Sequence, residues 1–345
     1  MTISRHRFCT TIVIVLFITM LVSIIGGDTT EAAEKYPNRP IKIIVPWSLG
    51  GTTDLLARCL QPYLKEILEA PAVIVENKPG GMTLIGLVAF KREKADGYTL
   101  LVDDLASMSL AYLWTDKPGF DWEDFVPLST LILDPRYFFV RKESPYKDVN
   151  DLIEDARRRP GQVSVAVPAG SGAHWLIEYI AKKMDLPISI VGYPGGGPAT
   201  AALLGGHVTV YFSEGIGRVP VREKLKAIGV SIPERGRIFP EATPCVEQRV
   251  FKEKGIGFLP GYEVALNTSV WVHKELKENH PEIYNKLLTA LFKVKDHPGF
   301  QEKARELDID KVSVWWSPEK SMELKNNSLK IFKENFWIIE DMRKK

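Results

Sequence analysis

The feature that most restricts the fold of this chain is a three-part unit that occurs four times. Each unit has a short apolar run, a loop containing glycine and then a stretch of helical character. The units are IKIIVPW followed by Gly50-Gly51, AVIVENK by Gly80-Gly81, VSVAVPA by Gly170-Ser171-Gly172, and ISIVGYP by Gly195-Gly196-Gly197. Strands that are apolar throughout and alternate with helices are typical of parallel sheets covered on both faces. The pattern therefore predicts an α/β protein.

The number of units and the length of the chain together predict two sheets. The chain has 345 residues, enough for about two domains of ~100–200 residues each. A long irregular segment, SIPERGRIFPEATPCVEQ, follows the last unit. Four units and this segment are more than one compact sheet usually contains. We therefore expect two α/β domains.

The region from Lys274 onward is expected to be helical. Its apolar residues fall on one helix face at Ile283, Leu287, Leu288 and Leu291. A further helix should begin at Ser317-Pro318-Glu319, which has the proline of a first helical turn. Nearer the N-terminus, Thr52 or Thr53 should cap the helix after Gly51, and Pro62 should kink or end it.

The N-terminal segment has the pattern of a secretory signal peptide. Arg5 and Arg7 precede a largely apolar stretch from Ile12 to Ile25, which is short for a membrane span. Small residues follow and offer a cleavage site near Ala33. We expect a signal peptide over residues 1–33 and a periplasmic mature protein. An uncleaved membrane anchor is the alternative.

Charge and cysteine content exclude some classes of protein. Lys and Arg exceed Asp and Glu by two without a block of like charge, so no nucleic acid partner is expected. In the mature chain Cys59 and Cys245 remain, and Cys59 falls on the apolar side of a predicted helix. Two buried thiols are the favoured interpretation, and a disulfide between them stays open.

The glycine loops are candidate anion sites. A helix N-terminus has backbone N–H groups without partners and a partial positive charge, and glycine lets an anion approach closely. A tight turn is the simpler explanation for any one of these loops taken alone. Four such loops at strand ends favour a ligand site, because ligands of open α/β sheets bind there.

Motifs for nucleotide binding and catalysis are incomplete. Gly192 and Gly197 have P-loop spacing, but Pro198 and Ala199 replace the required lysine and hydroxyl residue. Around Ser171, Ala169 and Ala173 occupy the positions at which a nucleophile elbow requires glycine. The histidines and cysteines show no metal-binding spacing. We expect no enzyme activity, cofactor or metal.

Two pairs of adjacent carboxylates are expected to be structural rather than catalytic. They are Asp103-Asp104 and Glu123-Asp124. Neighbouring residues of a strand point to opposite faces, so the two carboxylates of a pair would not converge on one ligand. A solvated surface is the favoured interpretation for both pairs.

Several segments in a fixed order resemble a known family. They are YPNRPIKIIVPWSLGGTTDLLAR, VIVENKPGG, ADGYTLLV and VGYPGGGPATAALLGGHVTV, followed by the closing helices. This succession, from Tyr36 nearly to the end, resembles the substrate-binding proteins of tripartite tricarboxylate transporters, the Bug family. The resemblance implies a type II periplasmic binding protein, a two-domain Venus flytrap with a carboxylate in the cleft between its lobes. It implies one domain from residues 36–132 and 258–345 and a second from 133–257.

The resemblance also implies a set of ligand-binding residues. The family's loop P-F-P-P-G-G-S-T-D maps onto Ser48, Gly50, Gly51 and Thr52. A second-domain loop maps onto Gly170, Ser171, Gly172, Ala173 and His174, and another onto Tyr193, Gly195, Gly196 and Gly197, with Ser213 on the next strand. His174 could equally be a structural cap. Trp47 and Trp175 are either core residues or an aromatic wall for the ligand.

The chain departs from the family pattern in one of these loops. Members commonly have E-N-R-P-G-A-G-G, where this chain has Glu76 to Pro79 followed by Gly80, Gly81, Met82 and Thr83. Two small positions have become larger, so a ligand beside this loop would differ in shape. Ser48-Leu49 also replaces a frequent Pro-Pro.

The function that the resemblance implies is the binding of a small carboxylate, and we expect the protein to be a monomer. The lobes would close about hinges near Leu133 and Phe258 onto a small carboxylate, and the closed protein would dock on membrane transporter subunits. An exported sensor or scavenger that presents its ligand to a signalling receptor is the alternative. The sequence leaves open whether the acid is citrate-like, a dicarboxylate or aromatic.

Overall fold

The computed structural model of the protein describes residues 35–256 and 267–344. The strands in these ranges are β1 (Ile41–Val45), β2 (Val73–Asn77), β3 (Thr99–Asp103), β4 (Phe125–Leu133), β5 (Arg136–Arg141), β6 (Ser164–Pro168), β7 (Ser189–Tyr193), β8 (Val210–Glu214), β9 (Leu225–Val230) and β10 (Asn267–His273). The predicted signal peptide and the hinge expected near Phe258 lie outside the described residues.

The α-helices in the same ranges number from the N-terminus. They are α1 (Thr52–Leu68), α2 (Leu84–Arg92), α3 (Leu105–Trp114), α4 (Val149–Arg158), α5 (Gly172–Met184), α6 (Gly196–Leu204), α7 (Arg249–Glu253), α8 (Lys274–Asn279), α9 (Pro281–Asp296), α10 (Pro298–Glu306), α11 (Pro318–Glu334) and α12 (Phe336–Lys344). Short 3-10 segments occupy Trp122–Asp124, Ile216–Lys224 and Cys245–Glu247.

The strands form two five-stranded sheets, which confirms the predicted two-domain α/β fold. The sheet orders are β2-β1-β3-β10-β4 and β7-β6-β8-β5-β9. We call the first sheet with its helices the first lobe, and the second sheet with its helices the second lobe. The sheets are mixed rather than parallel throughout, since β10 runs antiparallel to β3 and β4, and β5 runs antiparallel to β8 and β9.

The antiparallel strands are explained by the path of the chain between the lobes. The chain leaves β4 at Leu133 and enters β5 at Arg136, so that only Asp134 and Pro135 separate the two sheets. It returns between α7 and β10. In each sheet the antiparallel strand is therefore the first one after a crossing, and it enters from the other lobe instead of following a helical crossover.

Helix α1 follows the first glycine loop and packs by a regular apolar stripe. Leu56, Leu60, Leu64 and Leu68 are buried at a spacing of four residues. The N-cap is Gly51, which has no side chain to bond the helix start, so the expected cap by Thr52 or Thr53 is wrong. The helix does not end at Pro62, which is exposed, so the carbonyl that loses its helical donor can be hydrated.

The C-terminal helices begin where the sequence predicts. Ser317 caps α11 by accepting a bond from the Lys320 amide, and Pro318 occupies the first turn. Ser321 of α11 accepts a bond from the Thr130 amide at 2.9 Å, which ties the helix to β4 in the first lobe. The next helix, α12, packs on the second lobe, with Asp341 3.2 Å from Lys182 of α5. The C-terminal region therefore contacts both lobes.

Cys59 and Cys245 are buried free thiols, which confirms the favoured interpretation. Within residues 35–256 and 267–344, no helix combines the length and the apolar character needed to cross a bilayer.

Candidate ligand-binding cleft

A cavity of about 350 Å³ lies between the two lobes. The first lobe contributes the loop after β1 and the loop after β2, and the second lobe contributes the ends of β6 and β7. The lining residues are Pro46, Trp47, Gly80, Gly81, Met82, Thr83, Ala169, Gly192, Tyr193 and Pro194. The volume is in the lower part of the ~300–1,000 Å³ range of small-molecule sites. A ligand in this cavity would contact both lobes at once.

The loop after β1 is held by hydrogen bonds within the first lobe. The Trp47 side chain is buried, and its Nε1 donates to Asp103 Oδ1 at 2.8 Å. The Gly50 amide donates to Asp54 Oδ2 at 3.0 Å. Asn77 Nδ2 donates to the Trp47 carbonyl at 2.9 Å, which links the loops after β1 and β2. The indole ring therefore has a fixed orientation at the cavity wall.

Beside the cavity the two lobes meet backbone to backbone. The Ser48 amide donates to the Pro194 carbonyl at 3.3 Å. A Cβ added to Gly197 would lie 2.0 Å from the Leu49 carbonyl oxygen, and one added to Gly51 would lie 3.4 Å from the Gly196 nitrogen. No side chain fits at position 197 without movement of a backbone, so glycine here permits the close approach of the lobes.

Two further hydrogen bonds join the lobes at the start of α1. Thr52 Oγ1 accepts a bond from the Gly217 amide at 3.1 Å, and both groups are buried. Arg218 Nη2 donates to the Gly50 carbonyl at 3.3 Å. In this conformation the start of α1 faces the backbone of the second lobe. The predicted contact of these loop amides with a bound anion stays a prediction.

The loop between β6 and α5 is organised by its own residues. Ser171 is the N-cap of α5, and its Oγ accepts a bond from the His174 amide. His174 Nδ1 accepts a bond from the Gly170 amide at 3.1 Å. The sequence left open whether His174 binds the ligand or caps the helix. The contacts described here agree with the structural role.

The structure places the predicted site residues in three groups. Trp47 and Tyr193 line the cavity. The residues at the contact between the lobes are Ser48, Gly50, Gly51, Thr52, Gly195, Gly196 and Gly197. Gly170 and Ser171 lie in the β6–α5 loop, Gly172, Ala173 and His174 form the first turn of α5, and Ser213 is buried beside Glu214. Trp175 is buried outside the cavity lining, with its ring 5.1 Å from that of Phe332.

Sequence reasoning did not assign Met82 and Thr83 to the site, although both line the cavity. The signal that could have found them is their departure from the family pattern in the loop after β2. The other unassigned lining residues are Pro46, Gly80, Gly81, Ala169, Gly192 and Pro194.

A cluster of buried charged groups lies behind the loops. Asp103 and Asp104 are 0% and 4% exposed, so the expected solvated position of this pair is wrong. The reason is that β3 lies inside the sheet, between β1 and β10, and that Trp47 covers its end. In the second lobe Arg136 is buried, with its guanidinium 3.1 Å from Glu214.

Burial and charge set the pKa values in this cluster. Burial raises the pKa of Asp103 well above its ordinary value, and the charge of Asp104 adds to the rise. Burial also raises the pKa of Asp134 to about 7, against two backbone amides that donate to its carboxylate. Burial acts to raise the pKa of Glu214 as well, but the charge of Arg136 and other contacts lower it overall. The Glu214 carboxylate is therefore ionised at neutral pH beside the Arg136 guanidinium.

The described part of the chain contains no group of three or more His, Cys, Asp or Glu side chains placed to hold a metal ion. The lining of the cavity instead offers aromatic and aliphatic surface, hydroxyl groups and backbone amides. This arrangement can bind a small molecule, and among the described residues that line the cavity no nucleophile has an adjacent base.

Comparison with known proteins points to one family. The family described as "Tripartite tricarboxylate transporter family receptor" matches residues 56–330. Protein BugT of Bordetella pertussis is 33% identical over 246 residues, which are 68% of this chain and 73% of BugT.

Solved structures agree with this match. The structure of periplasmic binding protein BugD is 25% identical, covers 87% of this chain and 98% of BugD, and gives a TM-score of 0.73. The structure of R. palustris Rpa4515 with adipate is 24% identical, covers 88% of this chain and 98% of that chain, and gives a TM-score of 0.75. The fold of this chain is therefore that of periplasmic binding proteins.

Proposed function

Because the chain belongs to the tripartite tricarboxylate transporter receptor family, we propose that it is an extracytoplasmic solute-binding protein for a small organic carboxylate. The ligand is captured between the lobes and delivered to the membrane subunits of a tripartite tricarboxylate-type transporter. The protein acts in the periplasm as a monomer, after removal of residues 1–33, and binds its ligand without turnover.

The observation that carries this proposal is the cavity with walls from both lobes. A ligand that contacts both walls binds the closed conformation better than the open one, and this differential affinity shifts the population towards closure. The short crossing at Asp134 and Pro135 supports a hinge between the lobes. A closed molecule differs from an open one in the surface that it presents, which is what a transporter needs in order to recognise the loaded form.

The chemistry of the loops supports an anionic ligand. The starts of α1 and α5 lie at strand ends beside the cavity, and helix N-termini attract anions. Ser48, Gly51, Thr52 and Ser171 remain predicted ligand-binding residues, outside the lining of the cavity itself. Hydrogen bonds from neutral groups suit reversible binding, because the ligand must later be released to the transporter.

A thermal-shift screen of the exported protein tests the proposal. The panel contains citrate, malate, adipate, hexanoate and benzoate, with the corresponding amides as uncharged controls. An acid at ~100 times its dissociation constant adds about 2.7 kcal/mol to the free energy of unfolding, which is a shift of several degrees. Small-angle scattering should then show a smaller radius of gyration with the acid, and chromatography should recover the acid unchanged. Absence of a shift with every acid, or turnover of one, would overturn the proposal.

A further inference from the structure

The loop that closes one side of the cavity has an unusual backbone. Four consecutive residues have positive φ angles, namely Gly80 at 119°, Gly81 at 56°, Met82 at 52° and Thr83 at 76°. Glycine adopts these angles readily, whereas Met and Thr are disfavoured there by contact between Cβ and the backbone. Side chains held at such angles cluster in ligand-binding sites, where the surrounding structure maintains them. All four residues line the cavity.

Met82 belongs to the first lobe, lines the cavity and contacts the second lobe. A Cβ added to Gly170 would lie 2.3 Å from Met82 Cβ, so Met82 packs directly on the backbone of the second lobe. Met82 is half-buried at this contact. An unbranched thioether side chain is flexible and apolar, and it fills irregular space well. Met82 therefore provides an adaptable apolar surface whose position depends on closure.

Thr83 has a buried hydroxyl without a partner. The residue is 1% exposed, and among the described residues no group bonds Thr83 Oγ1. Thr83 is the N-cap of α2, yet its side chain makes no capping bond to the helix. A buried hydroxyl without a hydrogen bond is destabilising. Thr83 also lines the cavity, so a rotation of its side chain would bring the hydroxyl to a ligand oxygen that satisfies it.

The rest of the lining limits the charge of the ligand. Among the described residues that line the cavity, none has a charged side chain, and the apolar surface comes from Pro46, Trp47, Met82, Pro194 and the ring of Tyr193. The Trp47 Nε1 proton is already donated to Asp103. One carboxylate can be bound by hydroxyl and amide donors. A second buried carboxylate would lose its hydration without a cation in compensation.

We propose that this cavity selects a small acid with a single carboxylate and an apolar aliphatic or aromatic body. Thr83 Oγ1 donates a hydrogen bond to the carboxylate, and Met82 packs on the apolar body. This inference rests on the proposed function as a carboxylate-binding protein and adds the class of acid to it.

Calorimetric titration with matched acids tests the selectivity. Hexanoate and adipate have the same chain length and differ by one carboxylate, and benzoate and terephthalate form an aromatic pair. The monocarboxylate of at least one pair is expected to bind at least ~10-fold more tightly than its dicarboxylate, since the second charge is buried without a partner. If adipate and terephthalate bind more tightly, the inference is overturned and the proposed function stands. If no acid binds, both are overturned.

Variants at Thr83 test the role of the hydroxyl. Thr83→Val keeps the shape and removes the donor, and it is expected to raise the dissociation constant of the bound monocarboxylate by about 5- to 150-fold. Its urea midpoint should equal or exceed that of the parent, because an unpaired buried hydroxyl is removed. Thr83→Ser should restore binding. A purely structural threonine would give the opposite result, with a lower midpoint and unchanged affinity, and would overturn the assignment.

Met82→Gly tests the apolar wall. Glycine relieves the backbone strain and removes the side chain, so the midpoint should be unchanged or higher while hexanoate binds more weakly. The preference for hexanoate over acetate should fall as well, since acetate has almost no apolar body to lose contacts. An unchanged preference would overturn the role of Met82.

Discussion

Replacement of Thr52 by valine should weaken closure of the lobes and leave each lobe folded. Thr52 Oγ1 accepts the bond from the Gly217 amide, and both groups are buried where the lobes meet in this structure. Valine has nearly the same shape but no acceptor, so closure would bury the amide without a partner. Such a group costs ~1–3 kcal/mol. In an open molecule the amide is hydrated, so the cost falls on closure and lowers its equilibrium constant by about 5- to 150-fold.

The assay is calorimetric titration with the acid that gives the largest thermal shift. A ligand that binds only the closed lobes has its apparent dissociation constant raised by the same factor. Thr53→Val is the matched control, because Thr53 is the next residue in α1, is also buried and has no described hydrogen bond to the second lobe. Equal affinities of the parent, Thr52→Val and Thr53→Val would refute the reasoning, since the bond to Gly217 would then contribute nothing to closure.

Three further predictions concern the buried groups. Arg136→Met leaves the Glu214 carboxylate, whose side chain is only 16% exposed, without its cation and should lower the free energy of unfolding by ~3–5 kcal/mol in urea titrations, and addition of Glu214→Gln should recover part of the loss. The pKa of Asp134 is raised to about 7 in the folded state, above ~3.9 in the unfolded chain, so its protonation stabilises the fold below about pH 4 and this contribution is lost as the pH rises through 7. The stability of the parent relative to Asp134→Asn should therefore fall over that window, and a flat difference would contradict the shift. Burial raises the pKa of Cys59 to about 11 and that of Cys245 further, so a disulfide reagent should modify neither thiol in the native protein and both in urea.

Local sequence signals predicted much of the architecture. The repeated units identified the α/β class, because a strand that is buried on both faces has a continuous apolar sequence, which can be recognised without the structure. The start of α11 at Ser317 and Pro318 followed from capping preferences of adjacent residues. The free thiols of Cys59 and Cys245 followed from the position of Cys59 on the apolar side of a predicted helix.

The features that sequence reasoning missed depend on contacts between distant segments. The burial of Asp103 arises because β10, more than 160 residues later in the chain, completes the sheet beside β3. The helix begins one residue earlier than the threonine cap predicts, with Gly51 as the N-cap, and Thr52 Oγ1 bonds the second lobe. The sequence showed that Met82 departs from the family pattern. Its contact with Gly170 could not be predicted, because it depends on how the two lobes are placed relative to each other.

The contact between Gly51, Gly196 and Gly197 has a consequence for how this protein can diversify. The surfaces that meet there are backbone, whereas the walls of the neighbouring cavity are side chains such as Trp47, Met82 and Tyr193. A mutation of Trp47 or Tyr193 changes the wall of the cavity without changing the backbone atoms that meet at these glycines. We therefore expect that, after gene duplication, single substitutions in these walls can change the ligand specificity of one copy while the backbone contact between the lobes is kept.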